Sequence, residues 1–471
     1  MAGVFLPPFS YTSGIAMRKF SIQTLGCKVN QYESEQMASL LRSHGWVESD
    51  PDDAELRIVN TCSVTMEAAS KSRQAVRQAV RVGAKQVVVA GCWATSDKQA
   101  ASQMTGVDLV LTHHDNVSDR LAEFGLSGAA RQGSGVIGMR SLPLLNQRQH
   151  QQQRAFLKIQ DGCDAHCTYC IIPKLRPLLW SKPLDELVRE ARQLVDVGHV
   201  ELVLTGIFLG AYGRETALRR RQSSVARRSL ADVVDALCLR VPGLRRLRLS
   251  SLEPGDMDDE LLAALRSHWQ VVPHFHVPLQ SGSDAILRKM NRQYRRDDFL
   301  RLVDRLYSAF DRPALTSDVI VGFPGESDAA FQQTVDVVNR ARFIHVHAFA
   351  FSPRPGTAAA RWPRDFVRGP IVGRRIDLLR RRAGAFSLDF RSTFVNQTVQ
   401  LLVERERSAP GVWRHGRCQR YFDVHFENDS TATGEAATGD LVDVRVDRVT
   451  PTRTFGTLVS IAAKGPEHSS P

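Results

Sequence analysis

The sequence predicts an α/β protein in three parts: a parallel α/β domain, a partial (β/α)6 barrel and a small β-barrel. Strand and helix patterns alternate in two successive regions of the chain, and short strand patterns follow them. Strands that are joined by helices form parallel sheets through right-handed crossovers. Short strands at regular spacing with Gly turns are typical of a small barrel. Because 471 residues are too many for one ordinary core, several domains are expected.

The first predicted domain, residues 18–132, has three strands that each end just before a cysteine. The strands are predicted over Phe20–Leu25, Leu56–Asn60 and Gln86–Ala90, and the cysteines are Cys27, Cys62 and Cys92. Helix patterns run from about residue 30 to 44 and from about 63 to 81. Chemistry in parallel sheets collects at the carboxyl ends of the strands, so we expect the three thiols to converge at one edge. The alternative is three buried cysteines that act as small apolar residues.

A linker and a second alternating region follow. Residues 133–153 are rich in Gly, Ser, Gln and Arg and are predicted to be the linker. The barrel is predicted over residues 154–387, with an Arg-rich loop at 214–228 and a basic helix at 370–387. Its six strands are predicted at Ala155–Gln160, Val200–Leu204, Arg245–Ser250, His274–Leu279, Leu315–Val321 and Ile344–Phe351.

The last region, residues 388–463, is predicted to be the small β-barrel. Its strand patterns are short and separated by Gly-containing turns, which favours a closed barrel over an open sheet. Four strands are predicted, at Thr398–Glu404, Arg420–Phe426, Leu441–Val449 and Thr454–Ile461.

Composition narrows the class of partner. The chain has 62 Lys and Arg against 50 Asp and Glu, a net charge of +12 and a pI of about 9.6. Most of the basic residues are arginine, whose planar fork suits phosphate, so a nucleic acid is the expected partner. No stretch approaches the ~20 apolar residues that span a bilayer. The first sixteen residues lack a secretory pattern and are expected to be a loose tail, or to precede a true start at Met17, so the cytoplasm is the expected location.

Eight cysteines without a secretory signal indicate metal binding or catalysis rather than disulfides. Cys163, Cys167 and Cys170 have the spacing C-x3-C-x2-C directly after the first barrel strand. Thiolates are the ligands that iron–sulfur clusters prefer, and three of them leave one iron open. Zinc is the alternative, with His166 as a fourth ligand, but no second CxxC pair follows at finger spacing. Cys238 and Cys418 belong to no motif and are expected to be structural.

These motifs resemble the radical S-adenosylmethionine (SAM) methylthiotransferase family over about residues 18–462. The resemblance rests on the six cysteines and on TLGCKVNQYESE, VNTCSVT, SSLEP, HVPLQSGSD, SDVIVGFPGE and FSPRPGT. It implies an N-terminal cluster domain, a radical SAM barrel and a C-terminal RNA-binding TRAM barrel. The stretches GCKVNQYES and TGI-x-LG-x-YG resemble the threonylcarbamoyladenosine branch most.

The resemblance also implies two [4Fe–4S] clusters and SAM as cofactors. Cys163, Cys167 and Cys170 would hold the cluster that cleaves SAM to a 5′-deoxyadenosyl radical. Cys27, Cys62 and Cys92 would hold the second cluster, which carries the sulfur to be inserted. The residues implied to line the cofactor pocket are Thr205, Gly206, Ser251, Glu253, Gln280, Asp318, Gly322 and Gly325.

The implied reaction is methylthiolation at C2 of N6-threonylcarbamoyladenosine 37 in tRNA. One SAM would supply the methyl group and a second the radical. Isopentenyladenosine 37 in tRNA and a ribosomal-protein aspartate are the alternative substrates, and a non-catalytic RNA-binding iron–sulfur protein is the alternative class. An electron donor and a sulfur donor are further expected partners. The chain departs from the family pattern at Phe208 and over residues 174–180, both near the expected active site.

Overall fold

A computed structural model describes residues 18–123, 142–146, 153–219, 228–405, 413–428 and 434–463. Most of the predicted linker and part of the predicted loop at 214–228 lie outside these residues, as do the first seventeen residues. No helix of the described residues is long and apolar enough to cross a membrane.

The N-terminal region is a five-stranded sheet in which every pair of neighbours is parallel. The strand order is β2-β1-β3-β4-β5. β3 and β4 consist almost entirely of buried residues, because helices cover both faces of the sheet. The strands are β1 (Lys19–Thr24), β2 (Val47–Glu48), β3 (Leu56–Thr61), β4 (Gln86–Ala90) and β5 (Leu109–Val110). The helices are α1 (Lys28–Ser43), α2 (Met66–Arg81), α3 (Gly91–Ser96), α4 (Lys98–Ser102) and α5 (Val117–Glu123).

The predicted partial barrel is confirmed: its six predicted strands are all present, and a short strand, β7, is added antiparallel to the first of them. A four-stranded sheet of order β7-β6-β8-β9 stands beside a three-stranded sheet of order β10-β11-β12. The amide of Leu252 donates to His276 O at 3.1 Å, which joins the two sheets. The strands are β6 (Ala155–Asp161), β7 (Trp180–Ser181), β8 (Glu201–Gly206), β9 (Arg246–Leu249), β10 (His274–His276), β11 (Ala314–Val321) and β12 (His345–Ala350). The helices are α6 (Ile172–Leu175), α7 (Leu184–Asp196), α8 (Leu230–Arg240), α9 (Asp259–Ser267), α10 (Asp284–Lys289), α11 (Arg296–Ala309), α12 (Asp328–Ala341) and α13 (Gly369–Ser392).

The C-terminal region is a closed barrel of five strands, one more than the sequence predicts. The additional strand, β14, reads WRHGRC and lacks the apolar alternation by which strands are recognised. Antiparallel backbone pairing with β13 and with β15 holds this strand in place. The strands are β13 (Thr398–Val403), β14 (Trp413–Cys418), β15 (Asp423–Glu427), β16 (Leu441–Val449) and β17 (Thr454–Ala463).

The C-terminal barrel closes one end of the partial barrel. Arg246 and Arg248 of β9 are 1% exposed and both pair with Glu201 of β8. Both guanidinium groups also donate to backbone carbonyls of the C-terminal barrel, at Gln400, Arg417 and Gln419. The ring of His274 in β10 stacks on Tyr421 at 4.3 Å between centroids. The amino ends of the barrel strands are therefore sealed by protein, whereas the carboxyl ends lie beside the cysteines.

The predicted domain boundaries stay predictions. Helix α13 is one continuous helix that crosses the predicted boundary at residue 387. The described part of the predicted linker, residues 142–146, is packed against α1: the side chain of Gln36 donates to Pro143 O at 2.9 Å. Of the two cysteines without a motif, Cys238 lies in the core of the partial barrel and Cys418 in that of the C-terminal barrel, as their structural role requires.

Candidate active site at the domain interface

Cys27, Cys62 and Cys92 lie at the same edge of the N-terminal sheet. Cys27 is the N-cap of α1 just after β1, Cys62 follows β3, and Cys92 lies in the first turn of α3 after β4. A Cβ atom built on Gly26 would lie 3.1 Å from Cys62 Sγ, so the Gly26-Cys27 turn directly contacts the second cysteine. Cys27 is exposed, whereas Cys62 and Cys92 are buried. The edge thus has one thiol open to its surroundings and two inside.

Asn30 holds this edge together. Its side-chain amide donates to Leu25 O and to Thr61 O, both at 2.9 Å, and these carbonyls belong to the ends of β1 and β3. Asn60 donates in return to Asn30 O at 2.9 Å. Buried backbone carbonyls need partners, and a short amide side chain on α1 reaches two of them at once. Asn30 belongs to the stretch TLGCKVNQYESE, but no local pattern in the sequence indicates this role.

Gly91 is required where β4 turns into α3. Its φ is +91°, a region that side chains rarely adopt, and a Cβ there would collide with Asn60 Oδ1 and Thr61 O. A larger residue would push Cys92 away from the edge. The glycine before the third cysteine is therefore part of the site.

Cys163, Cys167 and Cys170 lie on the loop that follows β6. The amide of Cys163 donates to Arg176 O at 3.0 Å, and the amide of Thr168 donates to Met290 O at 3.1 Å. Arg292 donates to Cys167 Sγ at 3.3 Å and also to Glu253. These bonds anchor both ends of the loop. They also place Glu253, one of the predicted pocket residues, beside the thiols.

Burial favours the protonated form of four of the six thiols. It raises the pKa of Cys92, Cys163 and Cys170 to about 12, and it raises the pKa of Cys62. A bound iron ion reverses this preference, because a coordinating thiol loses its proton outright. These four thiols are therefore protonated without metal and would become ligands when metal binds.

The spacing of the thiols fits a cluster better than a single ion. A zinc ion holds sulfur ligands about 4 Å apart, because Zn–S bonds are about 2.3 Å long. Across the described ranges, the one group of three suitable ligand atoms within 4.8 Å of one another is His276, Asp318 and His347. Neither cysteine trio is gathered that closely, and His166 joins no such group. The wider spacing suits clusters in which each sulfur binds a different iron.

A buried ionic network connects the two cysteine regions. Arg176, close after Cys170, makes a bidentate pair with Glu33 of α1 at 2.7 and 2.8 Å, and Lys158 of β6 donates to the same carboxylate at 2.7 Å. Asp161 accepts from both cations. Burial would raise the pKa of Glu33, but Arg176 and Lys158 outweigh it and lower that pKa to about 2. The network is charge-balanced and fixes α1 against the cluster loop.

His113 completes this network from the N-terminal side. Its Nε2 lies 3.9 Å from Glu33 Oε2, and its Nδ1 lies 2.8 Å from Thr95 Oγ1. Burial, with Arg176 acting in the same direction, lowers the pKa of His113 to about 3. The ring is therefore neutral at ordinary pH.

Five of the other predicted pocket residues lie in three places. Thr205 and Gly206 end β8 beside β6, where Lys158 pairs with Thr205 and Gln160 with Gly206. Ser251 is exposed just after β9. Asp318 contacts His276 Nε2 at 3.2 Å, and the amide of Gln280 donates to Asp318 O at 2.8 Å.

Gly322 and Gly325 lie in the turn after β11, away from this group. The amide of Gly322 donates to Glu326 Oε2 at 2.8 Å. A Cβ on Gly322 would meet Val372 of α13, and one on Gly325 would meet Lys289. The contacts around these two glycines therefore shape the turn and its packing, and their role in cofactor binding stays a prediction.

Comparisons with known proteins agree with this geometry. Residues 157–338 match the Radical SAM superfamily, and residues 19–112 match Uncharacterized protein family UPF0004. The chain is 34% identical to the threonylcarbamoyladenosine tRNA methylthiotransferase MtaB of Bacillus subtilis, over 82% of this chain and 85% of that protein. It is 36% identical to the MtaB of Thermotoga maritima, over 82% and 87%. It is 34% identical to tRNA-2-methylthio-N(6)-dimethylallyladenosine synthase 1 of Mycobacterium marinum, over 92% and 84%.

Among solved structures, the radical SAM methyltransferase TsrM of Kitasatospora setae shares the fold. Its structure with cobalamin and a [4Fe–4S] cluster has a TM-score of 0.51 and 14% identity, covering 73% of this chain and 77% of that one. Fold, cysteine placement and relatives together define a radical SAM enzyme with an additional N-terminal domain that carries three cysteines at one sheet edge. The chain belongs to the radical SAM methylthiotransferase family. Radical SAM enzymes use SAM and a [4Fe–4S] cluster.

Proposed function

We propose that this chain methylthiolates C2 of N6-threonylcarbamoyladenosine at position 37 of tRNA, with two SAM molecules and two [4Fe–4S] clusters. The tRNA substrate is supported by the names of the relatives and by the net charge of +12, which suits a phosphate-rich partner. The branch is supported by MtaB relatives at 34% and 36% identity and by the GCKVNQYES stretch.

One observation carries the proposal: the two cysteine regions touch. Cys92 packs with Ile171 and Leu175 in one small apolar cluster, and Ile171 directly follows Cys170. Arg176 of the same segment acts electrostatically on Cys92. A group held by the first trio would therefore sit close to one held by the second, as sulfur insertion next to a radical requires.

The chain's own residues divide the work. Cys163, Cys167 and Cys170 would hold one cluster and Cys27, Cys62 and Cys92 the other, and these groups supply reductive cleavage of SAM and the inserted sulfur, respectively. Arg292 holds Cys167 and Glu253 in a fixed relation through its two N–H branches. Arg176 and Lys158 fix α1, and so Cys27, against the barrel. The closed floor of the barrel excludes water from the amino ends of its strands.

Nucleoside mass spectrometry tests the substrate. Anaerobically reconstituted protein is given SAM, a reductant and tRNA that carries either threonylcarbamoyladenosine or isopentenyladenosine at position 37. We expect the methylthio product from the first tRNA only. The dimethylallyladenosine enzyme of M. marinum is as similar in identity, so product from the second tRNA alone would establish the alternative.

A further inference from the structure

Lys28 places a positive charge where all three regions of the molecule meet. It is the first residue of α1 and directly follows Cys27. Its Nζ lies 3.3 Å from Ser250 Oγ at the end of β9. The charged and ionisable groups that act on it are Tyr421 of the C-terminal barrel, Arg154 and Arg248, with Cys27 beside it. The N-terminal domain thus places the ammonium group of Lys28 at the carboxyl end of a strand of the partial barrel.

This ammonium has no carboxylate within ion-pair distance among the residues that the structure describes. The neighbouring arginines already have carboxylate partners, since Arg248 shares Glu201 with Arg246 and Arg154 pairs with Glu404. A partly buried charge without an opposite charge costs free energy unless a ligand supplies it. The position therefore calls for an anion from outside the chain.

His347 of β12 lies within electrostatic range of this charge. His345, His347 and Phe349 alternate along one face of the strand and are exposed. His347 Nδ1 lies 3.1 Å from His345 Nε2, and the charge of Lys28 acts on His347. Burial lowers the pKa of both histidines, so near pH 7 each is neutral and has an N–H to donate. The strand presents donors, not competing charges.

An anion fits this group better than a metal ion. His276, Asp318 and His347 lie within the reach of one ion, but the ammonium of Lys28 acts on His347 and repels a cation. The carboxylate of Asp318 is paired with His276 at 3.2 Å. Asp318 also acts electrostatically on His347, but it makes no ion pair with Lys28 among the described residues, so the ammonium is left to bind the anion.

We propose that Lys28 and His347 bind a carboxylate on the substrate base, with His345 orienting the ring of His347. This inference rests on the proposed function: threonylcarbamoyladenosine carries a carboxylate on its threonyl part, whereas isopentenyladenosine carries no charge there. Because Lys28 is adjacent to Cys27, a carboxylate bound to it would hold the base beside the sulfur-carrying cysteines. Lys28 is thus a specificity-determining residue.

The experiment compares an acid with its neutral ester. An anticodon stem-loop with threonylcarbamoyladenosine 37 and the same stem-loop with the threonyl carboxylate as its methyl ester are bound to the reconstituted holoenzyme and followed by fluorescence anisotropy. We expect the wild type to bind the acid about tenfold more tightly, as a charge-assisted contact implies. Lys28→Met should remove this preference and Lys28→Arg should keep part of it. His347→Ala, remote in sequence from all six cysteines, should reduce it as well.

Lys85→Met is the matched control. Lys85 is an exposed lysine before β4, at the opposite end of the sheet, and pairs with Glu55. The Lys85→Met variant should bind both stem-loops as the wild type does, or should bind both more weakly by the same factor. If Lys28→Met weakens the binding of the acid and of the ester equally, the proposal is overturned and the ammonium is assigned to a backbone phosphate. An unchanged acid preference in both Lys28→Met and His347→Ala would overturn it too. If the wild type makes no methylthio product from the acid, the proposed function itself is wrong, which the Lys28 variants cannot mimic.

Discussion

The two cysteine trios are built in opposite ways. Cys163, Cys167 and Cys170 lie within eight residues on one loop, so the chain itself keeps them together. Cys27, Cys62 and Cys92 come from three strand ends and meet only when β1, β3 and β4 pair. The first site depends on a loop and its anchors, and the second depends on a folded sheet. Substitution of the cysteines should therefore reduce iron binding at both sites alike. Substitution of residues that pack the sheet edge should reduce it more at the site of Cys27, Cys62 and Cys92.

The largest effect is expected from Cys163→Ala, Cys167→Ala and Cys170→Ala together. With two [4Fe–4S] clusters the protein should contain about eight irons per chain, and the triple variant about four. It should form no 5′-deoxyadenosine from SAM. Iron analysis and chromatography of the SAM products measure both. Cys238→Ala, a buried cysteine outside both trios, is the control and should keep all the iron. Full iron in the triple variant, or stoichiometric zinc, would contradict the assignment.

The same substitutions at Cys27, Cys62 and Cys92 separate the two roles. This triple variant should also lose about half the iron but should still cleave SAM to 5′-deoxyadenosine, because the loop after β6 is intact. It should make no methylthio product on tRNA, as nucleoside mass spectrometry will show. A fully active variant would mean that these three thiols only pack the sheet edge.

Asn30→Ala tests the dependence on the sheet. It leaves the carbonyls of Leu25 and Thr61 without their side-chain donor, which should destabilise the N-terminal domain by about 2–4 kcal/mol. In the background that lacks the barrel cysteines, the remaining iron reports on the upstream trio alone and should fall. Ser39→Ala, on the same helix with a weaker 3.5 Å contact to Asn146, is the control and should cost less than about 1 kcal/mol. Equal iron in the two variants would show that Asn30 does not hold the edge.

The smallest effect concerns pH and the network between the trios. The pKa of His113 is lowered from 6.5 to about 3 by burial, so the unfolded chain binds more protons than the folded one between these values. Stability should therefore be full above about pH 6.5 and decrease as the pH falls. Glu33, with its pKa lowered to about 2, adds a further loss below about pH 4.5. His113→Gln should flatten the dependence of the urea midpoint between pH 7 and 5. An equally steep dependence in the variant would place the titrating group elsewhere.

The sequence predicts the strands and helices of this molecule well, but it predicts the contacts between its domains poorly. β4 is predicted at its observed bounds, and all six barrel strands are found, because hydrophobic periodicity is a local signal. β14 is missed because its stability comes from the ladders of a closed barrel and not from its composition. The convergence of Cys27, Cys62 and Cys92 at one edge follows from sheet topology and is confirmed as a placement.

The contacts between domains could not be read from the sequence. Glu33 and Arg176 are 143 positions apart, and no local pattern indicates that they form a buried pair. The segment at residues 174–180, which departs from the family pattern, supplies the arginine of this pair. Lys28 is likewise an ordinary polar residue in the sequence, and its position beside Ser250 depends on how two domains dock. Which buried charges find partners across an interface is a property of the assembled structure.

The floor of the partial barrel has a consequence for how this protein can be divided. Arg246 and Arg248 have their N–H groups distributed between Glu201 and carbonyls of the C-terminal barrel, and the ring of Tyr421 covers His274. Cutting the chain after α13 would uncover the buried side chains of the barrel floor and would remove the acceptors that Gln400, Arg417 and Gln419 supply to the two guanidinium groups. The C-terminal barrel thus closes the partial barrel, and an enzyme shortened at this point would admit water to the amino ends of the barrel strands.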